Sequence, residues 1–372
     1  ANGSDYTDAV GDYYFEGLDF GGNFSLVPYL NTDHGNGVNT IDMIKMLKHI
    51  NGTELLQSPY QLIAADVDGS GDITMADFDY IRQLLLGIIQ VFPNNTSWRF
   101  VPAEFPLTDI AAEIPDSYRY FNLLVCQFAQ DFIGIKIGDL NSSASSDGVM
   151  AQAEERTNGD WLLEAPDYDL RAGDIYRIPI RANNLEQLSG LEVELALNTE
   201  VLEVLEVEEG QVKAEQMNTA LMERGLLKSI WLAQKTSSNE PLFTLVVAAK
   251  AGAKLADVLA VSGRVPSVAY DHALAEYDLR LQFSDYGQEA VLLKNHPDPF
   301  RETTQISFYL PQAGNYLLEI TDATGKVLQQ YQQRADAGKQ ELAIRGEGLP
   351  AGVLFYTLTF DGRQISRRMV KL

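Results

Sequence analysis

The sequence is poor in cysteine, histidine and positive charge, and each shortage removes a class of function. Cys126 is the single cysteine among 372 residues, so no internal disulfide can form. The four histidines, His34, His49, His272 and His296, are scattered, which leaves no zinc-spaced cluster and no evident nucleophile–histidine pair. With 28 Lys+Arg against 52 Asp+Glu the formal charge is −24, which disfavours nucleic acid and anionic membrane surfaces and suits cations. No apolar run reaches about 18 residues, so no membrane-spanning helix is predicted. Residues Ala1–Leu30 lack a basic stretch and an apolar core, so no signal peptide is read there. Nucleophile-elbow, zincin, P-loop and dinucleotide motifs are all missing, and the expectation is that the chain is not an enzyme.

What is present is enough apolar material, 45% of the chain, to fill several cores. The length suits two to four domains. Charge is uneven: residues 292–372 carry ten Lys+Arg against eight Asp+Glu, while the first 291 hold 18 against 44. That shift marks the C-terminal fifth as a separate module with separate partners. Cys126 sits in an apolar stretch and is expected to be a buried hydrophobe.

The clearest chemical pattern runs from Asp66 to Asp77. Asp66, Asp68, Ser70, Thr74 and Asp77 place oxygen side chains at positions 1, 3, 5, 9 and 12 of a twelve-residue loop, with Gly71 at position 6. Asp72 offers its backbone carbonyl. Calcium takes six to eight hard oxygen ligands, and a loop of this length can wrap them around one ion. Asp, rather than the usual Glu, closes the loop. Phe78, Ile81, Leu84, Leu85 and Ile88 then recur at helical spacing up to Gly87. A weaker copy aligns 35 residues earlier, with Asn31, Asp33, Gly37, Asn39 and Asp42 as candidate ligands and a helix carrying Met43, Met46, Leu47 and Ile50. Gly35 supplies no side-chain ligand at position 5, so two Ca2+ sites are expected, the first weaker. His34 within that loop is expected to be exposed and not a ligand.

This duplicated loop–helix unit resembles the dockerin domain, whose loops follow D-x-[DN]-x-[DNS]-G-x-[IV]-[NT]-x-x-D. The resemblance implies docking onto a cohesin partner and assembly into something larger. The extension from Trp98 to Asn141 is similar to segments beside such dockerins in large secreted proteins of Bacteroidota. It is read as ordered loop with one buried strand over Phe132–Ile137. Before the unit, residues 7–18 and 24–29 look like two strands of a preceding β-sandwich, which implies a C-terminal piece of a longer polypeptide.

Residues 142–148 have linker composition. Beyond them, alternating segments such as Leu191, Val193, Leu195 and Leu197 against Glu192 and Glu194 predict half-buried antiparallel strands, with the glutamates solvated. The order of features, including Gly190, Trp231 and Pro241, resembles a cohesin module. Trp161 and Trp231 are expected in or beside the core. A dockerin-like and a cohesin-like unit in one chain suggest docking on each other, within a molecule or between neighbours.

From Leu292 onward, Pro299 and Phe300 precede alternating Ile306, Phe308 and Leu310. Gly325, Gly338 and Gly352 follow, with an Asp361–Gly362 hairpin turn and a basic end around Arg368, Met369 and Val370. This resembles the type A C-terminal sorting domain of the type IX secretion system, which implies contact with the outer-membrane machinery through 291–372 and export to the cell surface or beyond. In that family the domain is usually removed after export.

The expected fold is therefore mainly β and multi-domain, with a small α-helical EF-hand or dockerin-like module followed by two antiparallel β-sandwiches, jelly-roll or Ig-like. The divisions fall at 1–30, 31–92, 93–148, 149–290 and 291–372. The expected role is the C-terminal region of an exported structural or adhesive protein, with homo-oligomers or fibres possible. The alternative is the docking and sorting tail of a secreted polysaccharide-degrading enzyme.

Overall fold

Helix α1 (Thr40–Ile50) starts where Asn39 caps it: the Asn39 side chain accepts the Ile41 N–H, and Asp42 accepts the Asn39 N–H at 2.8 Å. Helix α3 (Met75–Leu85) repeats the device with Thr74 and Asp77. Between them lies α2 (Pro59–Ala65), which the sequence reading missed although Ser58, Pro59 and Gln61 form an ordinary capping start. The computed structural model describes residues 3–8, 11–107, 115–145, 158–233, 240–284 and 290–372.

The extension is more structured than a loop. Trp98–Pro102 pairs antiparallel with Phe132–Lys136, and Val101, Ile135 and Ile137 join the helical core of Met43, Met46, Ile81 and Leu86. The N-terminal reading needs correction. No strand forms among the described residues of 3–18, and Phe24–Leu26 pairs instead with Tyr118–Tyr120. Cys126 is also corrected: it is exposed, on a stretch where Phe121, Val125 and Phe128 are exposed too. Apolar neighbours in sequence do not bury a thiol when the whole stretch runs over the surface.

The middle module is a β-sandwich. Its strands run in the order Met217–Asn218, Leu226–Leu232, Leu188–Leu197, Val268–Asp271, Glu276–Ser284, Asp160–Pro166, Ile175–Ala182, Phe243–Ala249 and Leu202–Glu209. Asp160–Pro166 links the two halves, pairing parallel with Glu276–Ser284 and antiparallel with Ile175–Ala182. Between the halves lie Leu191, Val193, Leu195, Trp231, Phe243 and Leu245. Trp161 packs at the border of this core.

The C-terminal module packs Val291–Leu292, Thr303–Leu310 and Gly338–Arg345 against a four-stranded sheet made of Val327–Ala335, Gly314–Thr321, Gly352–Phe360 and Arg363–Lys371. Its last hairpin turns at Asp361 and Gly362, both at positive φ, as a tight two-residue turn requires.

Both outer faces of the middle sandwich are covered. On one, Ile230, Leu232, Val268 and Tyr270 share a buried cluster with the helical unit. On the other, Ile175 and Val246 cluster with Val291 and Tyr309 of the C-terminal module. Glu192 and Glu194, expected in solvent, are consequently buried. The Glu192 carboxylate accepts the Thr40 hydroxyl at 3.2 Å and pairs with Lys228 at 3.1 Å.

Candidate metal centre

The 66–77 loop closes on itself through its carboxylates. Asp66 accepts the N–H groups of Ser70 at 2.9 Å and Gly71 at 3.0 Å, and Asp68 accepts Ser70 N–H at 3.0 Å. The Ser70 hydroxyl donates to the Asp72 carbonyl at 3.2 Å. From the helix end, Asp77 accepts Val67 N–H with one oxygen and Thr74 N–H with the other, each at 2.8 Å. Asp66, Asp68 and Asp77 bring carboxylate oxygens within 4.8 Å of one another. Burial is the largest influence on Asp77 and raises its pKa, and the charges of Asp68 and Asp66 push the same way.

The earlier loop is arranged differently from the alignment. Asp42 stands where Asp77 does, wholly buried at the start of α1. Asn31 and Asp33, however, make no hydrogen bond to it among the described residues. The Asn31 side-chain oxygen accepts Ser97 N–H at 2.8 Å and meets His34 Nε2 at 2.9 Å. His34 is buried, a correction, because its Nδ1 accepts Phe92 N–H at 3.2 Å and its ring packs edge-on against Phe92. Burial, then the charge of Lys136, lowers its pKa and favours the neutral imidazole those contacts need.

The partners of Asp42 come from about a hundred residues later. Leu140 N–H donates to Asp42 at 2.7 Å, as Val67 does to Asp77. Asp139 then accepts the N–H groups of Ser143 at 3.2 Å and Ala144 at 2.8 Å, in the manner of Asp66. Asn141 accepts Ser143 N–H at 3.1 Å, matching Asp68. The Ser143 hydroxyl donates to the Gly37 carbonyl at 2.8 Å, as Ser70 does to Asp72. Asn39 caps α1 in the place of Thr74. One loop is thus split, its first half on 139–144 and its second on 37–42, and Asn36 and Ser145 exchange two hydrogen bonds beside the junction. Gly37 is required there: it sits at φ +72°, and a Cβ would lie 2.5 Å from the Ala144 backbone.

Sequence reasoning missed Asp139, Asn141 and Ser143, although they repeat the spacing of Asp66, Asp68 and Ser70. Residues 143–145, within the linker read at 142–148, are fastened into this loop; 146–148 fall outside the described residues. Asp42 is held well above the ordinary carboxylate range, by burial first and by the Asp139 charge second. The hydrogen bonds from the Asn39 and Leu140 N–H groups, and then the charge of Lys45, offset this only in part. Lys136 is itself buried, donating to the His34 and Ile137 carbonyls at 2.7 and 3.1 Å, and burial lowers its pKa to about 8. Both loops therefore offer oxygen donors only and crowd carboxylates, a donor chemistry that fits a hard divalent cation.

Residues 294–372 match the family model of the secretion system C-terminal sorting domain. The chain thus carries a type IX sorting domain, which indicates export to the cell surface or extracellular space. No curated protein matches. Among solved structures, a type I cohesin–dockerin complex from Clostridium thermocellum is 18% identical, covering 33% of this chain and 88% of that one at a TM-score of 0.25. A non-cellulosomal cohesin from Archaeoglobus fulgidus is 15% identical, with 33% and 91% covered and a TM-score of 0.24. A type II cohesin dyad from Acetivibrio cellulolyticus is 10% identical, with 56% and 95% covered and a TM-score of 0.25. At such scores the fold rests on the strand order described above.

Proposed function

We propose that this chain is a calcium-braced region of an exported structural or adhesive protein, in which a dockerin-like helical unit docks in cis on a cohesin-like sandwich. The observation that carries this reading is the shared core between α1, α3 and the Leu226–Leu232 and Val268–Asp271 strands. Fully burying an Ile, Leu or Val side chain is worth about 1.5–3 kcal/mol, so Ile230, Leu232 and Val268 make the contact cohesive. Polar contacts fix its register: Thr40 meets Glu192, and the Asn218 amide donates to the Leu86 carbonyl at the end of α3, at 2.9 Å. Gly190 allows the approach, since a Cβ there would lie 2.8 Å from Leu232 and 3.1 Å from Thr40.

Calcium would be held by Asp66, Asp68, Ser70, Asp72 and Asp77 in one loop, and by Asp139, Asn141, Ser143, Gly37 and Asp42 in the other. It would supply the positive charge that the clustered carboxylates lack, and so couple folding of the helices to the ion. The split site would also fasten the extension to α1, closing a loop of about a hundred residues.

Thermal unfolding with calcium and with chelator, with solution mass followed in both, tests the reading. Chelation should lower the melting temperature of the helical unit while the mass stays that of one chain. A mass that falls on chelation would replace docking in cis by docking between chains. An unchanged melt would remove calcium from the account.

A further inference from the structure

The C-terminal module is seated on the sandwich by a built interface. Val246 and Val291 are wholly buried in it, and Tyr309 and Ile175 are nearly so. Around this apolar patch the charges are complementary. Arg367 donates to Glu206 at 3.1 Å, to Glu208, and through Nε to the Leu292 carbonyl at 2.6 Å. Lys294 reaches Glu206 at 3.0 Å, and Arg177 braces Glu208 from two strands away, across Phe243–Ala249. The arginine and both glutamates are largely withdrawn from solvent, where a charge-assisted pair is screened least. The same complementarity exists at the scale of modules, since all the excess negative charge lies before residue 292 and the rest is net positive.

We propose that the outer face of the Ile175–Ala182, Phe243–Ala249 and Leu202–Glu209 strands is a specific receptor surface for the chain's own sorting domain, which holds that domain without help from the peptide connecting them. Arg367 is the central anchor, and Tyr309 and Val291 fill the apolar part. One consequence concerns export: the edge of the sorting domain that carries Arg367 is already occupied, so the secretion machinery must recognise another face of it.

The test is the full chain with a specific protease site inserted between Ser284 and Ala290. After cutting under native conditions, the two fragments should co-elute in gel filtration at micromolar concentration, with the mass of the uncut chain. Arg367→Ala should raise their dissociation constant tenfold or more, since it removes the one cation that bridges both part-buried glutamates across the interface. Arg334→Ala, on an exposed strand of the same module, should leave it unchanged. Glu206→Arg combined with Arg367→Glu should bind more tightly than Arg367→Glu alone, which a mere folding defect would not allow. Separation of the wild-type fragments while both keep their β-sheet circular dichroism would overturn the proposal. So would equal behaviour of the Arg367 and Arg334 variants.

Discussion

The two acidic loops use one hydrogen-bond plan in two chain topologies. In 66–77 every hydrogen bond to the loop's carboxylates comes from within the twelve residues, so the carboxylates need no distant segment to be satisfied. In the other, Asp139 and Asp42 meet only after the extension has folded back against α1. The difference is one of entropy: closing a loop of about a hundred residues costs more than closing one of twelve, though only logarithmically more. The split site therefore depends on the surrounding core to assemble it, and in return a cation there would tie distant segments together.

The largest effect that could break this comparison is loss of an ion. Calorimetric titration should find two calcium ions per chain for the wild type and one for either Asp66→Ala or Asp139→Ala. Asp33→Ala should leave two, and a loss there would restore the contiguous reading of 31–42. Asp42→Ala should also be among the most destabilising single changes in the helical unit, because it strands the Leu140 and Asn39 N–H groups at about 1–3 kcal/mol each.

A smaller effect separates the loops through their glycines. Gly71 has positive φ but open space around it, whereas Gly37 combines positive φ with the Ala144 backbone. Gly71→Ala should cost about 1 kcal/mol of strain and Gly37→Ala clearly more, measured by denaturant unfolding in calcium. Equal costs would mean that the 37/144 contact yields easily.

A pH dependence is the last way to sharpen the comparison. Burial lowers the folded-state pKa of Lys136 to about 8 from the ordinary 10.5. Between those values the unfolded chain binds more protons, so stability should rise with pH from about 8 to 10.5. Lys136→Met should flatten that rise in urea-melt midpoints; an unaltered slope would assign it to other groups.

Much of the chemistry that depends on chain neighbours was legible, although the Ser58–Gln61 start of α2 was missed. The 66–77 pattern, the helical spacing that follows it, the strand alternation about Leu191 to Leu197, and the Asp361–Gly362 hairpin follow from short-range sterics and hydrogen bonding. Exposure was less legible. Alternation correctly set Glu192 and Glu194 on the face opposite Leu191 and Val193, but a period of two cannot say whether that opposite face meets water or another module. Cys126 failed in the other direction, since apolar composition does not ensure a covering surface. Asp139, Asn141 and Ser143 carried a visible half-motif whose other half was a hundred residues away.

By itself, then, the sequence determined the 66–77 loop, the helices α1 and α3, the β character of the remainder and the separate nature of the C-terminal module, because each depends on neighbours in the chain. Only the tertiary structure decided that Asp42 is completed by Asp139, that glutamates are buried under a helix, and that Arg367 lies between Glu206 and Glu208. Those outcomes depend on which surfaces find each other, and the free energy that selects them comes from burying area contributed by segments far apart in sequence.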